Sequence, residues 1–140
     1  MADIALTAAK IAAVFPEKAE IHDFIAGATI TAGQAVYVAT DGTVALTDAT
    51  TSGGAPYFDG IALNGGGAGQ AISVLMRGHV YGFTVASINC GTTAHLSETA
   101  GALADAAPAG TGTDVKVGKI VALSDNTPTR VLYVAGPVVS

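Results

Sequence analysis

From Ile21 onward, apolar and polar residues alternate along most of this chain. In "AISVLMR", Ile72, Val74 and Met76 stand against Ser73, Leu75 and Arg77, the period-two pattern of a strand with one face more buried. "HVYGFTVA" repeats it, with His79, Tyr81, Phe83 and Val85 on one side. "VKVGKIVAL" and "RVLYVAG" supply two more strands, separated by the turn-rich "SDNTPT", while "DAAPAGTGTD" reads as a small-residue loop. In "AVYVATDGTVALTD", Asp41-Gly42 lies between two β-prone runs and suits the positive φ angles of a type I′ hairpin turn. The pattern predicts an all-β fold, a compact antiparallel barrel or sandwich of about ten short strands.

Two features qualify that picture. Ile4, Ala8, Ile11 and Phe15 have helical spacing, with Thr7 as a candidate cap, but Pro16 interrupts it. The competing reading is an extended arm whose apolar clasp, Val14-Phe15-Pro16, docks on another surface. The expected division is an N-terminal arm over 1–20 and a single β-rich domain over 21–140. There is also an internal echo: "ITAGQAVYVATDGTVAL", "DGIAL" and "AISVL" are followed in the same order by "INCGTTAHLSETAGALA", "VGKIVAL" and "RVLYV". Gly33 maps onto Gly91, Gly42 onto Gly101 and Gly60 onto Gly118, an offset near 58 residues. Duplication of a β-unit explains the echo, and so does reuse of one turn vocabulary in two meanders.

Composition narrows the function classes. A chain of 140 residues forms one domain and buries about two-thirds of its unfolded surface. Half of its residues are hydrophobic, many of them small, and none is Trp, so the core is thin and lacks large anchors. Only 12% are charged, which leaves a surface that other subunits or a partner are expected to cover. With six Lys plus Arg and a net charge of −5, the chain has no basic stripe for nucleic acid and no polybasic membrane anchor. No apolar run approaches the roughly 20 residues of a spanning helix, and the N-terminus lacks the basic and apolar regions of a signal peptide. A single cysteine, Cys90, permits no internal disulfide, so synthesis in a cytoplasm is expected.

Candidate chemistry fails on spacing. The triple glycine of "NGGGAGQAISVL" precedes a strand rather than a helix, and Gln70 occupies the third glycine position of G-x-G-x-x-G. It reads as a loose hairpin bend. "GTDVKVGKI" is no P-loop, since Ile120 stands where a hydroxyl is needed. His22, His79 and His95 are scattered and no Cys pair exists, so no metal site or cofactor is expected. Cys90 with His95, or Ser97 with His95 and Asp105, lack any spacing that marks a nucleophile and its base. Asp23, Asp41, Asp48, Asp59, Glu98 and Asp105 sit mostly at predicted turns, where Asp satisfies backbone donors. Arg77 in "LMRGHV" occupies the position of a carrier domain's lysine and cannot form the amide. The chain carries no enzyme signal.

The stretches "FPEKAEIHDFIAGATITAGQAVYV", "DGIAL", "GQAISVLMRGHVYGF" and "VGKIVALSDNTPTRVLYV" resemble, in order, the capsid cement or head decoration proteins of tailed bacteriophages. The likeness runs from about Val14 to Val134 and consists of small residues and turns. It implies a β-rich subunit, a homotrimer at local three-fold positions on the outer capsid surface of the virion, that reinforces contacts between major capsid proteins. Val14, Phe15, Pro16, Ile21 and Phe24 are then the expected capsid-contact residues. The alternative is a virion surface spike or carbohydrate-binding module that uses Tyr37, Tyr57, Tyr81 and Tyr133 as stacking surfaces.

Overall fold

The computed structural model describes residues 3–47, 49, 57–85, 88–107, 114–123 and 130–135. Among the described residues, ten antiparallel strands form one strongly curled sheet, a half-barrel. They are β1 (Ala12–Ala13), β2 (Glu20–Ile25), β3 (Ala35–Val38), β4 (Val44–Leu46), β5 (Gly60–Ala62), β6 (Ala71–Tyr81), β7 (Thr93–Leu96), β8 (Leu103–Ala104), β9 (Lys116–Ala122) and β10 (Arg130–Val134). No helix among the described residues is long and apolar enough to cross a membrane. The expected turn "SDNTPT", the middle of "DAAPAGTGTD" and Asp48 lie outside the described residues.

The two strands expected over 71–77 and 79–86 are one. β6 runs through Gly78, whose φ of 138° permits a bend without ending the ladder. Its first half pairs with β2 and β5, and its second half with β1 and β10. The predicted common face of His79, Tyr81, Phe83 and Val85 is divided in consequence. Tyr81 is exposed and His79 half-buried, whereas Phe83 and Val85 are in the core, because the strand stops before Gly82 (φ 107°) and the chain turns inward.

The internal echo is a structural repeat. β3 pairs with β5 through Ala35↔Ile61 and Val36↔Gly60; β7 pairs with β9 through Thr93↔Lys119 and Ala94↔Gly118, each position displaced by 58. Ile61↔Leu75 and Ala62↔Val74 recur as Lys119↔Tyr133 and Ile120↔Leu132. Ile21↔Leu75 and His22↔Val74 recur as His79↔Tyr133 and Val80↔Leu132. Even the turn bonds match: Gly33 N–H donates to Ala62 O as Gly91 N–H does to Ile120 O, both over 2.7–2.8 Å. β6 therefore closes the first unit and opens the second. The β7–β8 register is offset by one residue from that of β3–β4, and the β7–β9 pair has a bulge between Ala94 and His95 in which Val117 of β9 is the extra residue.

Burial differs between the copies. Val36, Ala62 and Val74 fill a small cluster with Ala26, Ile30, Val44 and Ile72 inside the first unit. Their counterparts Ala94, Ile120 and Leu132 lie in the larger cluster, which also takes Ala35, Ile61 and Leu75 from the back of the first sheet. Strands β3, β5 and β6 are thus buried on both faces, which is why "GIAL" is continuously apolar.

The segment expected as an arm lies along this body. Ile4 and Ile11 are buried in the larger cluster, Ile4 N–H donates to Leu103 O, and Thr84 N–H donates to Ala5 O. The helical spacing yields only a 3-10 turn over Ala8–Lys10, without a Thr7 side-chain cap. The triple glycine is also more than a loose bend, since Gly66 and Ile30 exchange two backbone hydrogen bonds of 2.9 Å.

These packing differences give two expectations. A Cβ at Gly118 would stand 1.8 Å from Tyr133 O, whereas one at Gly67 would meet only the Gln70 side chain at 3.6 Å. Gly118→Ala should lower the unfolding free energy by roughly 2–4 kcal/mol and Gly67→Ala by less than about 0.5, measured by urea titration. Ile11→Ala should cost about 2–4 kcal/mol in the same assay; a loss near zero would mean that 3–20 is a detached arm.

Candidate functional site

Long side chains on neighbouring strands meet when they share a face of the sheet, and one such row crosses the outside of the second unit. Ala13 pairs with Val80 and Val14 N–H donates 3.0 Å to His79 O, which brings the next residue, Phe15, beside His79. The Phe15 and His79 rings meet edge-on at 5.5 Å, and His79 contacts Tyr133 at 4.9 Å. Lys18 Nζ lies 5.7 Å from the centre of the Phe15 ring. Tyr133 in turn pairs with Lys119 and Lys119 with Thr93. The first unit's equivalent row is Ile21, Leu75, Ile61 and Ala35, apolar and, beyond Ile21, fully buried. One lattice of positions thus serves as core in one copy and as surface in the other.

The expected contact residues lie on the segment that leads from this row into β2. Phe15 is 37% and Ile21 36% exposed, and Ile25 beyond them reaches 45%. Val14 is half-buried and Pro16 exposed. Phe24 departs from the others: it is half-buried, pairs with Ile72 and packs against the smaller core cluster. β2 alternates Ile21, Asp23 and Ile25 on one face with His22 and Phe24 on the other, so only one of its apolar faces is covered. Ile25 had the same period-two signal in the sequence as Ile21 and was missed there.

Other candidate groups are engaged locally. Ser97 Oγ donates 2.5 Å to Asp3 and accepts from Thr99 N–H. His95 Nδ1 lies 2.6 Å from Asp114, and Lys116 Nζ donates 2.8 Å to the other oxygen of that carboxylate. His22 faces Glu20 at 3.5 Å, and Cys90 is exposed. Among the described residues, no three His, Cys, Asp or Glu side chains gather within a metal ion's reach. Asp41 accepts from both Thr43 N–H and Thr43 Oγ1, the local role expected of a turn carboxylate, whereas Asp23 lies mid-strand on β2 and accepts from Ser73 Oγ of β6. Tyr57 and Tyr81 are exposed while Tyr37 and Tyr133 are half-buried, and Tyr133 is already against His79.

Lys116, and after it His95, hold the Asp114 carboxyl below its ordinary value of 3.8. A carboxyl lowered in the folded state contributes stability that is complete above pH about 4 and is lost as the pH falls through its folded value. Asp114→Asn should flatten that part of the acid limb in a pH-dependent unfolding series. At neutral pH it should cost under about 1 kcal/mol, since the pair is largely in solvent.

Comparison with protein-family models, curated proteins and solved structures finds no match to this chain.

Proposed function

We propose that the chain is a structural capsid cement protein that binds the outside of a tailed-phage head, as a homotrimer at local three-fold positions, and ties neighbouring major capsid subunits together. The observation that carries this reading is the strip from Phe15 to Ile25. Three large apolar side chains, Phe15, Ile21 and Ile25, stand exposed in one short stretch of a chain that has few charges and a closed core of Ile, Leu, Val and Phe side chains. A surface of that kind is unfavourable in water and favourable against a partner. The resemblance to cement proteins supplies the partner, since its quoted stretches include β2, β3, β6, β9 and β10.

The mechanism is mass action rather than turnover. A trimer touching several capsid subunits gains avidity from individually weak contacts. If it binds the expanded shell and not the unexpanded one, each occupied site stabilises the expanded form by roughly 2.7 kcal/mol when free cement is 100-fold above its Kd. Over many sites that resists the pressure of packaged DNA.

Deleting residues 1–20 is a poor test, because it also removes Ile4 and Ile11 from the core. Point substitution on the exposed strip is cleaner. The purified chain should run at three times its monomer mass and co-sediment with expanded heads more than with unexpanded ones. Phe15→Ala and Ile21→Lys should each weaken head binding about tenfold with an unchanged melting temperature. A monomer that leaves both head forms bare would overturn the proposal.

A further inference from the structure

The repeat has two equivalent outer edges, and one of them is filled. In the second unit the edge is His79 and Tyr81 of β6. It is covered antiparallel by the chain's own residues 12–14: Ala12 pairs with Tyr81, and Val14 N–H donates to His79 O. In the first unit the equivalent positions are Ile21 and Asp23 of β2.

Hydrogen-bond direction shows what that edge presents. Ser73 turns its backbone towards β5, with its C=O accepting from Leu63 N–H and its N–H donating to Asn64. Asp23, opposite Ser73, is therefore a pair without ladder bonds, and its own N–H and C=O point away from β6. Ile21, two residues earlier, points the same way, while Ala26 N–H donates inward to Gln70 O as the alternation requires. From Ile25 onward the edge is taken by β4, where Ala26 bridges Val44 in parallel and Gly27 N–H donates to Val44 O. Among the described residues, no strand or bridge covers Ile21 and Asp23 on that outer flank.

We infer that this edge of β2 accepts an extended segment of another protein, which adds as an antiparallel strand in the place that residues 12–14 fill on the second unit. The side chains define the segment. A basic residue lies opposite Asp23, with an apolar residue two positions along, against Ile21. A second copy of β2 does not fit. Antiparallel pairing of outward groups with outward groups sets Asp23 against either Asp23 or Ile21 of the copy, like charges or a carboxylate on an alkyl chain. The inference does not depend on the partner being a capsid subunit.

The test uses the full ¹⁵N-labelled chain and two acetylated seven-residue peptides of alternating valine and threonine, one with a central lysine and one with a central glutamate. Without peptide, the amides of Ile21 and Asp23 should exchange rapidly and those of His22 and Phe24 slowly. The lysine peptide should slow Ile21 and Asp23 selectively and bind roughly fivefold tighter than the glutamate peptide. Asp23→Asn should abolish that preference and Asp23→Lys should invert it. Protection of Ile21 and Asp23 in the peptide-free chain, protection that grows with protein concentration, or peptide-induced shifts confined to another surface would each overturn the inference.

Discussion

Everything else in this molecule hangs on the continuity of β6. A backbone hydrogen-bond ladder tolerates a bend only where the residue at the bend loses neither register nor steric room. Gly78 meets that condition, with a φ closed to most side chains and Ala19 packed close against it. Because the ladder survives the bend, one strand closes the first five-stranded unit and opens the second. The two units then diverge from a common strand and roll one sheet around two apolar clusters.

The shared strand also sets the chemistry of the surfaces. Two copies built on one strand cannot bury the same face. The back of the first copy, with Ala35, Ile61 and Leu75, is covered by the second copy and by Ile4 and Ile11. On the back of the second copy the equivalent positions are Thr93, Lys119 and Tyr133, and among the described residues no third copy is stacked on them. The edges differ in the same way. N-terminal residues that would otherwise be an exposed tail complete the second unit's edge, and the first unit's edge keeps apolar side chains in solvent beside Asp23. A protein that works by contact needs such a surface, and here its position follows from which copy came first in the chain.

Much of the fold was legible because strand periodicity is a local property. Alternation in "AISVLMR" and the hairpin at Asp41-Gly42 rest on residues close together along the chain, although only Gly42 has a positive φ there, so the turn is not the expected type I′. The exposed Phe15, Pro16 and Ile21 were also readable, as apolar residues without a local partner, whereas Val14 is half-buried. Phe24 was misplaced among them, since its burial comes from Ile72 on β6, far off in sequence.

The sequence by itself determined the all-β class and most of the strand-and-turn order, because side-chain period and turn geometry are fixed by neighbouring residues, while the matching registers of distant strands made its internal echo a repeat. Only the tertiary structure decided that two predicted strands are one, that the N-terminal segment is core and edge rather than arm, and which copy's lattice is buried. Those outcomes depend on pairings between distant segments, such as Ala13 with Val80 and Ile4 with Leu103, whose hydrogen bonds and contacts exist only once the sheet has curled.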